Sequence, residues 1–156
     1  MFSPVYPVLI RSAYFAFGNV WVSALLVTNL SSFIFPLVVY KTSGYRTALL
    51  AEVFPTYLVF TTIAYSDIVV LVLLALAFFF LLKEKFVKSC VGLSLAIFTF
   101  VNLALTLPAF GVALMSRKSF RYLYFFALPF LTGLFTPLWF KIVAGSYFAF
   151  FQLENP

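Results

Sequence analysis

Four carboxylates, Glu52, Asp67, Glu84 and Glu154, and ten Lys and Arg residues are the groups with which this chain could do chemistry. There is no His, and Cys90 is the one cysteine. No Cys/His metal site and no intrachain disulfide can be built from that set, and it makes no cofactor certain. Cys90 lies in an apolar run and reads as a small buried hydrophobe. Asp67 closes Tyr65-Ser66-Asp67, a polar break between two apolar runs. Ser66 and Asp67 suit the N-cap of the helix that follows, accepting from its free N–H groups. The same carboxylate suits a working acid. Glu52 lies about 8 Å inside the preceding apolar run, at 1.5 Å per residue. It is either a membrane-embedded functional acid or an interfacial ion-pair partner of Arg46, Lys41 or a loop lysine.

The elements that must hold these groups are hydrophobic. The 156 residues are 65% hydrophobic and 9% charged, with a mean hydropathy of +1.13. Soluble domains run at about 45–50% apolar and about 25% charged. The composition specifies an integral membrane protein. The net charge of +6 is spread over short loops rather than set on one face, which excludes a nucleic-acid footprint. No P-loop, dinucleotide fingerprint, repeat or secretory signal is present.

Residues 1–19 are broken by Pro4, Pro7, Arg11, Gly18 and Asn19 and read as an interfacial or re-entrant helix, with Trp21 at interface depth. Residues 20–40 form the cleanest span. Asn29, Ser31 and Ser32 in its middle are expected to face other helices, because polar groups in lipid need partners. Residues 47–64, kinked by Pro55, and 68–82 form further spans. The run 87–115 would be about 43 Å long as one helix, too long for an upright crossing.

Charge resolves that run. Lys41, Arg46, Lys83, Lys85, Lys88, Arg117, Lys118 and Arg121 fall on one side only if 87–115 goes in and returns near Asn102. The positive-inside rule therefore makes it a hairpin. Residues 120–140 form the last span, closed by Lys141. Residues 141–156 form a non-cytoplasmic tail. The expected fold is all-α: a polytopic transmembrane helix bundle of about four full or broken spans, plus the hairpin and the interfacial N-terminal helix. The basic loops are then cytoplasmic. Residues 1–19, Asp67, the turn at Asn102 and the tail share the opposite face.

Several segments carry a resemblance in order along the chain. Pro4-Val5-Tyr6-Pro7 is similar to a P-L-Y-P stretch, Asn29-Leu30 to S-N-L, and Phe54-Pro55-Thr56 followed by Ala64-Tyr65-Ser66-Asp67 to an F-P-T and A-Y-S-E pair. Leu93 to Pro108 resembles a helix, a T-R-P-x-G turn and a returning helix, and Gly145 to Phe150 resembles G-D-P-x-A-F. Together these resemble the polytopic glycosyltransferases of the C superfold, which take a sugar from a polyprenyl-phosphate donor, and most of all their GPI mannosyltransferase II-like branch.

The resemblance implies a mannosyl- or hexosyltransferase acting on the non-cytoplasmic face of a prokaryotic plasma membrane or a eukaryotic ER membrane. Transfer would be inverting, with a loop Asp near the first helix as general base. On that view Asp67 is the candidate catalytic or acceptor-side acid, and Tyr6, Arg11, Tyr65, Asn102 and Lys141 are the candidate substrate-binding residues. Arg11 or Lys141 would neutralise the donor phosphate. Both residues also suit simple interfacial anchoring. Expected partners are the bilayer, a lipid-linked sugar donor, and a protein partner or a remainder of the chain.

Three departures from the family pattern shape these expectations. The loop Asp and its helix precede P-L-Y-P in the family, whereas this chain starts at Met1, and further family helices follow the tail. Phe100 replaces the turn Arg, and Ser146 replaces the tail Asp. The resemblance thus reads as an internal portion of a longer enzyme, a truncated reading frame or a divergent member, inactive by itself. The alternative is a small non-catalytic multi-pass subunit or scaffold beside a larger membrane protein, with Asn29, Ser31, Ser32 and Glu52 as helix-contact groups.

Overall fold

The computed structural model describes residues 5–53, 66–116 and 124–144. Among them all regular structure is helical. The order is α1 (Val5–Phe17), α2 (Val20–Ser43), α3 (Tyr45–Val53), α4 (Asp67–Leu82), α5 (Phe86–Thr99), a 3-10 segment (Val101–Thr106), α6 (Leu107–Ser116) and α7 (Ala127–Ala144). The expected second span at 47–64 continues past α3 into residues outside those described, and Tyr65 is among them.

The elbow between α1 and α2 follows from two residues. Gly18 takes φ +64°, which Cβ-bearing residues adopt rarely, and its N–H returns to Tyr14 O at 2.8 Å. Asn19 then caps α2, its Oδ1 accepting from the N–H groups of Trp21 at 2.9 Å and Val22 at 3.3 Å. Pro7 sits in the first turn of α1, where a missing N–H costs nothing.

Among the described helices α2, with 24 residues, is the one long and apolar enough to cross a membrane. The expected span at 68–82 is a helix of 16 residues, and the run 87–115 is divided into helices of 14 and 10 residues around the 3-10 segment. Each is shorter than the roughly 20 residues a crossing needs. The division falls at Phe100, whose backbone is extended (φ −143°, ψ 100°).

α4 and α5 form a tight antiparallel pair. Ser89, fully buried, donates from Oγ to Ala77 O at 2.6 Å. A Cβ on Gly92 would lie 3.4 Å from the backbone and side chain of Ala77. Ser89, Gly92 and Ala96 recur on one face of α5, and small residues let backbones approach where dispersion rather than water exclusion drives packing. Phe110 of α6 returns onto this pair, 1% exposed and edge-to-face with Phe78 at 6.0 Å. The main core joins it to Ala77, Leu81, Cys90, Leu93 and Ile97.

A second cluster joins Tyr6 of α1, Val27 and Phe35 of α2, and Ile68, Val69, Leu71 and Leu73 of α4. α2 and α4 therefore lie side by side, the first half of α4 sharing this cluster with Val27 and Phe35. Along α2, Ser23, Ala24, Thr28 and Val38 face inward. Ser31 and Ser32 are half-buried and donate to Val27 O at 2.8 Å and Thr28 O at 2.9 Å on their own helix. Asn29 is exposed. The expectation that all three face other helices is corrected for Asn29, which lies exposed; Ser31 and Ser32 are partly covered and also bond to carbonyls of their own helix.

Candidate functional site

Tyr6, Ile10 and Tyr14 recur every four residues on α1, which stacks them along one side of the helix. With Pro7, Arg11 and Val20 they line a cavity of about 360 Å³ beside the elbow. Its lining is almost wholly hydrocarbon and aromatic ring. Arg11 supplies its one cation, and that side chain is exposed.

Tyr6 anchors the wall. It is buried, and its Oη lies 3.3 Å from Thr28 Oγ1 in a buried hydrogen bond to α2. Its ring packs with Ile68 and Val69, the residues directly after Asp67. The groove side of α1 and the first turn of α4 are thus joined through one tyrosine.

Asp67 opens α4 and precedes the apolar run Ile68–Leu82. It is half-buried, and burial raises its carboxyl above the ordinary aspartate value. Among the described residues it makes no hydrogen bond or ion pair. Ser66, expected as a cap, makes no side-chain capping bond, and its backbone is already helical (φ −70°, ψ −20°). The N-terminal dipole of α4 still favours a carboxylate at Asp67.

Chain direction brings further candidates to the same end. The antiparallel α4–α5 pair places Thr99 beside the start of α4. Asn102, exposed, follows within three residues. Phe98 meets Phe135 at 6.3 Å and Trp139 at 6.4 Å on α7, and Lys141, exposed, follows Trp139 by two positions. Tyr6, Asp67, Asn102 and Lys141 therefore share one end of the helix array, with the groove beside them. Lys83 and Lys85, on the α4–α5 turn, and Lys88, in the first turn of α5, stand at the other end.

Glu52, on α3, is exposed and makes no ion pair among the described residues. Among the described residues no three Cys, Asp or Glu side chains gather to hold a metal ion. Sequence reasoning missed Thr28, Ile10 and Tyr14. The four-residue recurrence of Tyr6, Ile10 and Tyr14 was the signal available.

The chain was compared with protein-family models, curated proteins and solved structures, and none of the three comparisons gave a match.

Proposed function

We propose that this chain is a multi-pass membrane protein of the polyprenyl-phosphate glycosyltransferase kind, and that the α1–α2 groove seats the lipid carrier of the sugar donor. The observation that carries this reading is an apolar, aromatic groove that counts one cationic residue, the exposed Arg11, in its lining. An isoprenoid chain matches the lining, and a phosphate matches Arg11 as a charge-assisted hydrogen-bond partner. A cavity of about 360 Å³ is within the range that holds small ligands.

The gathering of Tyr6, Asp67, Asn102 and Lys141 at one end supports the same reading. In the transfer, an acceptor hydroxyl attacks the anomeric carbon, the bond to the carrier phosphate breaks, and the phosphate leaves with added negative charge. Arg11, with Lys141 at the same end, would stabilise that charge. Asp67 would stand on the acceptor side and take the proton that the attacking hydroxyl gives up, a task that a raised carboxyl pKa favours. The shorter helices fit an array in which broken segments cross or re-enter together, since irregular backbone at membrane depth is tolerated when protein covers it.

Donor binding tests the reading. The purified chain in detergent would be titrated with polyprenyl-phosphate-mannose and with polyprenyl phosphate, following thermal stability. A stabilising shift that disappears in Arg11→Ala is expected. A folded sample that shifts with neither lipid contradicts it.

The second reading, a non-catalytic subunit, is favoured by one observation: Asn29 lies exposed within α2 rather than against a described helix.

A further inference from the structure

We infer that the outer side of α2 is a self-association surface, and that a second copy of this chain covers it through reciprocal hydrogen bonds between Asn29 side chains. The inference rests on the membrane reading above.

Val22, Leu25, Asn29, Phe33, Leu37 and Tyr40 are all exposed, Phe33 at 72%. At about 100° per residue they fall within a stripe about 120° wide. The inward residues Ser23, Ala24, Thr28 and Val38 lie opposite, against α1 and α4. No described helix covers the stripe.

Asn29 is its one amide. It stands about 14 Å along a helix about 36 Å long, at 1.5 Å per residue, so hydrocarbon surrounds it in a bilayer about 30 Å thick. Lipid offers a carboxamide no partner, and among the described residues its side chain makes no hydrogen bond. An unpaired amide at that depth is costly.

The chemistry selects the occupant. A carboxamide carries two N–H donors and a carbonyl acceptor, so it complements itself. Under twofold symmetry the same patch meets its own copy, and each amide donates to the carbonyl of the other. No charged residue lies between Val20 and Tyr40 to make two copies repel. A different protein, or a further helix of a longer chain, would have to bring a matching polar group at the same depth; a second copy brings one by identity.

The test uses full-length chains carrying a donor or acceptor dye at the carboxyl end, reconstituted in phosphatidylcholine vesicles and floated on a density gradient. Energy transfer is then followed as the vesicles are diluted with lipid. The wild type is expected to float and to show transfer that declines on dilution. Asn29→Leu, a change on an exposed face, is expected to keep its thermal stability and to associate about tenfold more weakly, the scale of one interhelical polar contact. Asn29→Gln is expected to restore most of the association. Floating chains with no transfer at any dilution, or Asn29→Leu chains that associate as well as wild type, overturn the self-association alone. Chains that fail to float overturn the membrane reading and this inference together.

Discussion

Tyr6 Oη and Thr28 Oγ1 lie 3.3 Å apart in a buried site, and this hydrogen bond ties the short helix α1 to the first half of α2. The groove exists because α1 is held there. Tyr6→Phe and Thr28→Val are each expected to cost about 1 kcal/mol, the net worth of a neutral buried hydrogen bond. The double variant should cost clearly less than the two singles added, because both remove the same bond. Thermal or denaturant unfolding in detergent measures the cycle. Strict additivity would mean that the two hydroxyls are not coupled.

The α4–α5 contact at Gly92 is expected to respond steeply to volume. A Cβ at Gly92 meets Ala77 at 3.4 Å, which is ordinary contact, so Gly92→Ala should be nearly neutral. Gly92→Leu must separate α4 from α5 and should cost about 1–3 kcal/mol. Equal stability of the two variants, read by thermal unfolding, would show that the pair is not close-packed.

The turn between α4 and α5 contains a correctable strain. Glu84 has φ +58°; its N–H bonds to Leu81 O, and the next N–H, of Lys85, bonds to Phe80 O at 2.9 Å. That is a Schellman ending, in which glycine is the usual left-handed residue. Glu84→Gly is expected to stabilise by about 1 kcal/mol, since a side chain there costs roughly 1–2 kcal/mol. A lowered melting temperature would contradict the assignment.

Asp67 gives a pH dependence of definite sign. Its carboxyl titrates above the ordinary value of 3.8 in the folded state because burial disfavours the charge. Between 3.8 and the raised value the folded chain holds more proton than the unfolded chain. Stability should therefore fall as pH rises through that window. Asp67→Asn should flatten the dependence and leave stability at neutral pH unchanged or higher. A variant that unfolds more easily at neutral pH would mean that the charged carboxylate has a stabilising partner.

Much of the helix punctuation was legible. Gly18 and Asn19 marked the elbow because one supplies positive φ and the other a capping oxygen. Asp67 marked the start of α4, although the hydrogen bonds expected of Ser66 are absent. The break expected near Asn102 falls at Phe100, two residues earlier, where no proline or glycine advertises an extended residue. Lys83-Glu84-Lys85 gave no hint of a left-handed residue, because the sequence has no glycine there. The outward position of Asn29 was illegible for a general reason. When both sides of a helix are apolar, hydrophobic periodicity cannot tell the packed face from the open one. Thr28 was hidden in the same way, as a hydroxyl in an apolar run whose partner lies 22 residues away.

The most direct test of the groove is covalent mapping. The chain would be reconstituted with a polyprenyl phosphate bearing a photoactivatable group in its first isoprene unit. It would then be irradiated, and the labelled residues located by mass spectrometry. Labelling is expected between Tyr6 and Tyr14 and at Val20, competed by unlabelled polyprenyl-phosphate-mannose and reduced in Arg11→Ala. Labelling spread evenly over the outer side of α2, unaffected by competitor and by Arg11→Ala, would contradict a carrier site in the α1–α2 groove.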